Sequence, residues 1–146
     1  MNENWKFSDI PYHRPDVEAL QARYDALTRR AREARSPEEL VEIVRQRDAL
    51  QQEVGLCKAV AFIRAFHDVT DEFYQTELQD TLPRLEGSLD SQSLAAAIAE
   101  SPYATALDQA FGPQLRRLLT LDHQIHAGGR DLQARISQLT ALYQQL

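Results

Sequence analysis

The residues best suited to chemistry are few. Four histidines occur, His13, His67, His123 and His126. His123 and His126 stand three apart, so on a helix they share a face and could offer two nitrogens to a metal. A catalytic zinc needs three protein ligands and an open position. Neither H-E-x-x-H nor Glu-x-x-His is present, so the pair reads as solvated near a helix C-terminus, where positive charge is favoured. His67-Asp68 would act as a general base only beside a nucleophile and a pocket. The sequence signals neither, and Asp68 reads as part of a turn. Cys57 is the single cysteine and lies in the most apolar stretch, where burial keeps a thiol protonated and unreactive. Arg64 lies in the same stretch, between Ile63 and Ala65. An ion pair within the fold is the plainer role for its guanidinium. Contact with a ligand is the other, and it makes Arg64 the one substrate-binding candidate. There is no glycine-rich phosphate loop. These patterns assign no catalytic residue and no metal ligand.

The elements that would position these residues are helices. Residues 1–14 read as an extended arm, too apolar at Trp5, Phe7, Ile10 and Tyr12 to lie free in solvent, and therefore docked on the body. Residues 15–146 read as a helical domain. Pro15 and Asp16 open the first helix, Pro15 suiting a first helical position. Val17, Leu20, Tyr24, Leu27 and Ala31 follow as one apolar stripe. Ser36-Pro37-Glu38-Glu39 is a capping box with proline at the first position, the sharpest boundary in the chain. The second helix is long, with Leu40, Val44, Leu50, Val54, Cys57 and Ala61 in helical period, broken by Arg47. From Gly55 to Phe66 apolar residues occupy nearly every face, which predicts a segment surrounded by other helices, with Gly55 allowing a close crossing.

Thr70 reads as an N-cap with Asp71 and Glu72 in the first turn. Phe73, Tyr74, Leu78, Leu82, Leu85 and Leu89 extend the pattern through Pro83, which should kink or divide the helix. Ser101-Pro102 repeats the cap signal, Gly112-Pro113 interrupts the helix that follows, and Gly128-Gly129 marks a further break. A final helix places Leu132, Ile136, Leu139, Tyr143 and Leu146 on one face. No alternating run or hairpin turn competes. The expectation is an all-α array of five to seven helices, with a long, partly buried second helix and a proline-kinked third.

Composition excludes several classes. The 146 residues suffice for one core of ordinary globular composition, with 43% hydrophobic and 26% charged residues. A net charge of −6 argues against nucleic acid, whose binding needs a basic surface. One cysteine excludes an internal disulfide framework. No apolar run reaches the roughly 18–20 residues of a bilayer span, and no signal peptide is visible. A cytoplasmic protein with no nucleic-acid or membrane partner is expected. The last helix carries no stop signal. Fraying at a natural terminus explains that; so does a chain that is the front part of something longer.

The order of segments resembles the start of oligoendopeptidase F-like zinc metallopeptidases, of the thimet-oligopeptidase superfamily. Trp5-Lys6-Phe7-Ser8-Asp9 and Tyr12-His13-Arg14-Pro15-Asp16 look like the family's opening. Arg47-Asp48-Ala49-Leu50 and Glu53 follow the Ser-initiated helix. Ile63-Arg64, Asp68 and Asp71-Glu72-Phe73-Tyr74 resemble its Ile-Arg-His…Asp…Asp-Glu-Phe-Tyr stretch. Leu82-Pro83 matches its mid-helix proline, and Phe111-Gly112-Pro113-Gln114-Leu115 its Trp-Gly-Lys-Gln-Leu. The likeness covers most of residues 4–125. Ala65 departs from it where relatives often have His, and Gly128-Gly129 where they have a Ser-Pro helix start.

The resemblance implies a non-catalytic wall of a substrate channel that encloses short peptides. Zinc would be the cofactor of the full-length family, with none in this chain, because H-E-x-x-H and a further Glu ligand lie downstream in such enzymes. The chain alone should be inactive. Its implied partners are a C-terminal catalytic lobe, in cis or on a separate chain, and short peptides where the channel is complete. The apolar stripe of the last helix offers self-association as the alternative. Two other classes stay open: a free-standing interaction module derived from the family, and a small-molecule-binding bundle with a pocket around Arg64.

Overall fold

A computed structural model describes residues 12–67, 72, 74–127, 136–137, 140–141 and 144. Six α-helices occur among them: α1 Val17–Glu33, α2 Pro37–His67, α3 Leu82–Ser88, α4 Ser91–Ala99, α5 Leu107–Phe111 and α6 Pro113–Ala127. A π-helix, Tyr74–Thr81, precedes α3, and a 3-10 turn, Ala104–Ala106, precedes α5. The described residues contain no strand, so the fold is all-α. None of their helices is long and apolar enough to cross a membrane. Most of the arm, the Thr70 cap, the Gly128-Gly129 break and most of the final stripe (Leu132, Leu139, Tyr143 and Leu146) lie outside the described residues.

Local chemistry sets most helix ends. Asp16 Oδ1 accepts the Ala19 N–H at 3.0 Å. Asp16 is thus the N-cap of α1 and Pro15 stands one residue before it, not at the first helical position. Ser36 Oγ accepts the Glu39 N–H at 3.2 Å. Glu39 Oε2 in return accepts from Arg35 N at 3.0 Å, so the box closes one residue earlier than the usual reciprocal pair. Asp90, a cap that sequence reading passed over, accepts from Ser93 N at 2.9 Å and starts α4. The Ser93 hydroxyl donates to its other oxygen at 2.6 Å, and this bond first, then the one from the Ser93 N–H, holds the carboxyl below the usual range.

Two expected helices are remodelled. The pattern through Pro83 divides into the π-helix and α3, with Pro83 at the second position of α3. Proline lacks an N–H, and its ring crowds the carbonyl four residues back. The wider turn of a π-helix relieves that crowding, and Thr81 Oγ1 donates to Thr76 O, five residues back, at 3.2 Å. After Ser101-Pro102 the chain makes a turn and the 3-10 segment, and α5 begins only at Leu107. Ser101 Oγ there accepts from Tyr103 N at 3.3 Å. Gly112, at φ 84° and ψ 160°, ends α5, and Pro113 opens α6.

The chain divides into two units. In the second, Tyr24–Arg45 with Asp90–Leu146, α4 and α5 both pack on α6. Leu40, Ile43, Val44, Leu94, Ile98 and Leu107 are its fully buried large side chains. The Tyr103 hydroxyl donates to Arg35 O at 2.9 Å. Arg116 grips Asp108 with two nitrogens at 2.8–3.1 Å, joining α6 to α5 across Gly112.

In the first unit, Met1–Arg23 with Gln46–Leu89, Leu20, Leu50, Ala61, Ala65, Leu82 and Leu85 are buried. Here the structure corrects the expectation for Gly55–Phe66. The small residues Ala61 and Ala65 face inward, while Leu56, Phe62, Ile63 and Phe66 are exposed. Among the described residues the buried side chains of this stretch fall on one face of α2, and the large apolar side chains on its other faces meet solvent. Gly55 is exposed as well, and a Cβ placed there meets nothing within 4 Å, so it serves no close helix crossing.

Candidate functional site

The least expected side chain of the first unit is Glu77. It lies on the π-helix and is 2% exposed. A carboxylate so far out of water is tolerated only when its oxygens are paired. The Tyr12 hydroxyl donates to Oε2 at 2.8 Å. Arg14 Nε donates to Oε1 at 2.6 Å, and its Nη2 ion-pairs with the same oxygen. Both oxygens of Glu77 are therefore engaged. The cluster fastens the Tyr12–Asp16 segment to the π-helix, some 60 residues away in sequence.

Burial raises the Tyr12 hydroxyl far above its ordinary value, and donation to Glu77 raises it further. It stays neutral throughout the physiological range. Cys57 on α2 adjoins Tyr12, and burial is the main reason its thiol is also pushed up. The thiol donates to the His13 carbonyl at 3.8 Å. A paired carboxylate, a neutral phenol and a protonated thiol make an anchoring cluster. It holds no free base and no activated nucleophile.

Beside the anchor is a pocket of about 410 Å³, lined by the Tyr12–Asp16 segment, the start of α1 and the middle of α2. Leu20, Val54, Leu56 and Val60 form its apolar wall. Asp16 and the Arg23–Glu53 ion pair, 2.8 Å long, stand among its polar groups. That pair is half-exposed on both sides and contributes little to stability. The size and the apolar lining with a few polar groups suit a small ligand group or a peptide side chain.

The residues singled out in the sequence are dispersed. Arg64 is half-buried on α2 and does not line this pocket. His13 is exposed and lines it. His67 ends α2 and His123 and His126 lie on α6, but their side chains fall outside the described residues, as does Asp68. Among the described residues no group of three or more His, Cys, Asp or Glu is placed to hold a metal. Glu77 escaped sequence reading, although a signal was present. It falls in helical phase with Tyr74 and Leu85, so an acid occupies an apolar stripe.

A family model described as Peptidase M3 N-terminal domain matches residues 7–126. No curated protein and no solved structure matches the chain significantly. The matched span contains the whole anchor, both partners of each ion pair in it, and every helix from α1 to α5. Tyr12-His13-Arg14-Pro15-Asp16, whose order resembles the opening of such peptidases, is the segment that closes on Glu77. On that match the chain belongs to the Peptidase M3 N-terminal domain family.

Proposed function

We propose that the chain forms the non-catalytic, channel-lining N-terminal part of an oligoendopeptidase F-like zinc metallopeptidase that hydrolyses short peptides in the cytoplasm. The observation that carries this reading is the family match over residues 7–126. In such an enzyme the zinc would sit on the H-E-x-x-H helix of the catalytic lobe, where it supplies an activated water. The described residues of this chain do not fit a zinc site, so none is given a step in that chemistry. Their work is mechanical. The Glu77–Arg14–Tyr12 anchor holds the segment before α1 in place, and the neighbouring pocket offers an apolar wall to a peptide side chain. The helices limit by size what reaches the catalytic centre.

The test begins with the native mass in the source cells, by blotting with an antibody raised against this chain. A band well above 16.6 kDa is the result expected of a covalent catalytic lobe. Where the band is at that mass, the H-E-x-x-H polypeptide of the same genome is purified with and without this chain. Hydrolysis of quenched fluorescent peptides of increasing length is then compared. The chain alone should cleave none, and the complete enzyme should favour short peptides. A catalytic polypeptide that neither binds the chain nor changes its length preference in its presence refutes the proposal.

A further inference from the structure

The Tyr12–Asp16 segment has a cavity on each side. One is the pocket of about 410 Å³ described above. The other, of about 280 Å³, is bounded by the start of α1 and by Asp80, Thr81 and Arg84. Arg14, Pro15 and Asp16 line both, so the segment is a strap that partitions them. The strap is lightly held. None of its residues is fully buried. Among the described residues, no backbone–backbone hydrogen bond fastens Tyr12–Pro15. Side chains hold it instead. Tyr12 and Arg14 grip Glu77, and the Cys57 thiol donates to the His13 carbonyl. Only at Asp16, which caps α1, is the strap tied into a helix.

We propose that the strap is a movable wall of the pocket, hinged where α1 begins and latched by Glu77. Latched, it keeps the two cavities apart and covers Cys57. Released, it joins them into one longer cleft that takes a larger side chain. The inference deepens the functional reading above and rests on it only for the ligand, a peptide side chain. Two arguments support a latch. A segment with little buried surface and no backbone ladder opens at low cost, and this one has room on both sides. A buried ion pair is also a poor source of net stability, but it fails abruptly when one partner leaves, which suits a switch. A hydrogen bond to a charged group is strong enough to shift an equilibrium by about 10- to 100-fold. Loss of one donor to Glu77 therefore raises the released fraction by about that factor and leaves the helices as they are.

The test uses the full chain. Cys57 is its single cysteine and lines the pocket against the strap. Its rate of reaction with a nitrobenzoate disulfide reagent in native buffer therefore reads the released fraction. Tyr12→Phe keeps the ring and Glu77→Gln keeps the shape. Each should speed the reaction about 10-fold or more, with far-UV circular dichroism unchanged. The accelerated rate should depend only weakly on urea, the mark of local rather than global opening. Gly112→Ala, a strained substitution in the other unit, is the control and should leave the rate unchanged. Should Glu77→Gln unfold, Tyr12→Phe decides. An unchanged rate in folded Tyr12→Phe, or equal acceleration by Gly112→Ala, overturns the movable wall. The functional reading then stands, because this assay needs no catalytic lobe. Failure of the association and cleavage tests above removes the peptide as ligand and leaves the wall in place.

Discussion

Removing one hydroxyl tests the anchor. Tyr12→Phe keeps the ring and takes away the donor to Glu77 Oε2, now 2.8 Å long. The acceptor is a carboxylate that is 2% exposed, so little water can replace the lost donor. A hydrogen bond to a charged group contributes about 1.5–3 kcal/mol, against about 0.5–1.5 between neutral groups. The expected loss is about 2 kcal/mol. For a chain of this size that corresponds to a fall in Tm of about 4–8 °C. In a Glu77→Gln background the same change removes a neutral bond and should cost about 1 kcal/mol, leaving a coupling of about 1 kcal/mol between the two positions. Urea unfolding followed by circular dichroism gives the four midpoints, with slopes expected to agree. If Tyr12→Phe costs the same in both backgrounds, or nothing in the wild type, Tyr12 does not hold the Glu77 carboxylate.

Further outcomes follow from single positions. Gly55→Ala should stabilise by about 0.5–1 kcal/mol, since the added methyl enters open space on a helix; thermal melting checks it. Gly112→Ala should destabilise by about 2 kcal/mol, because φ 84° with ψ 160° is open to little but glycine; the same melting series should show the opposite sign. Asp90→Ala should lose about 1 kcal/mol at neutral pH with the α4 cap. Because the folded state holds this carboxyl below its ordinary value, the cap's contribution is complete above about pH 4 and disappears as pH falls through the folded value. Urea midpoints of wild type and variant should therefore converge in acid.

The class of fold and most helix ends were legible in the sequence because their causes are local. Ser36-Pro37-Glu38-Glu39 supplies its own hydrogen bonds, Gly112-Pro113 ends one helix and starts the next, and the stripe from Leu20 to Ala31 announces its buried face. The order of such segments also carried the family. Pro83 foretold a break, but its form was open: the π-helix depends on how the preceding turns settle around a missing N–H. Tertiary structure alone decided two matters of burial. Residues Gly55–Phe66 are apolar on most faces, and periodicity cannot say which of those faces a neighbour covers; Ala61 and Ala65 turned inward while Phe62 and Phe66 stayed in solvent. Glu77 is an acid that local rules place in water, yet Tyr12 and Arg14, more than 60 residues earlier, make its burial tolerable. Helical periodicity is a property of neighbours along the chain, whereas burial and charge compensation belong to residues that meet only after folding.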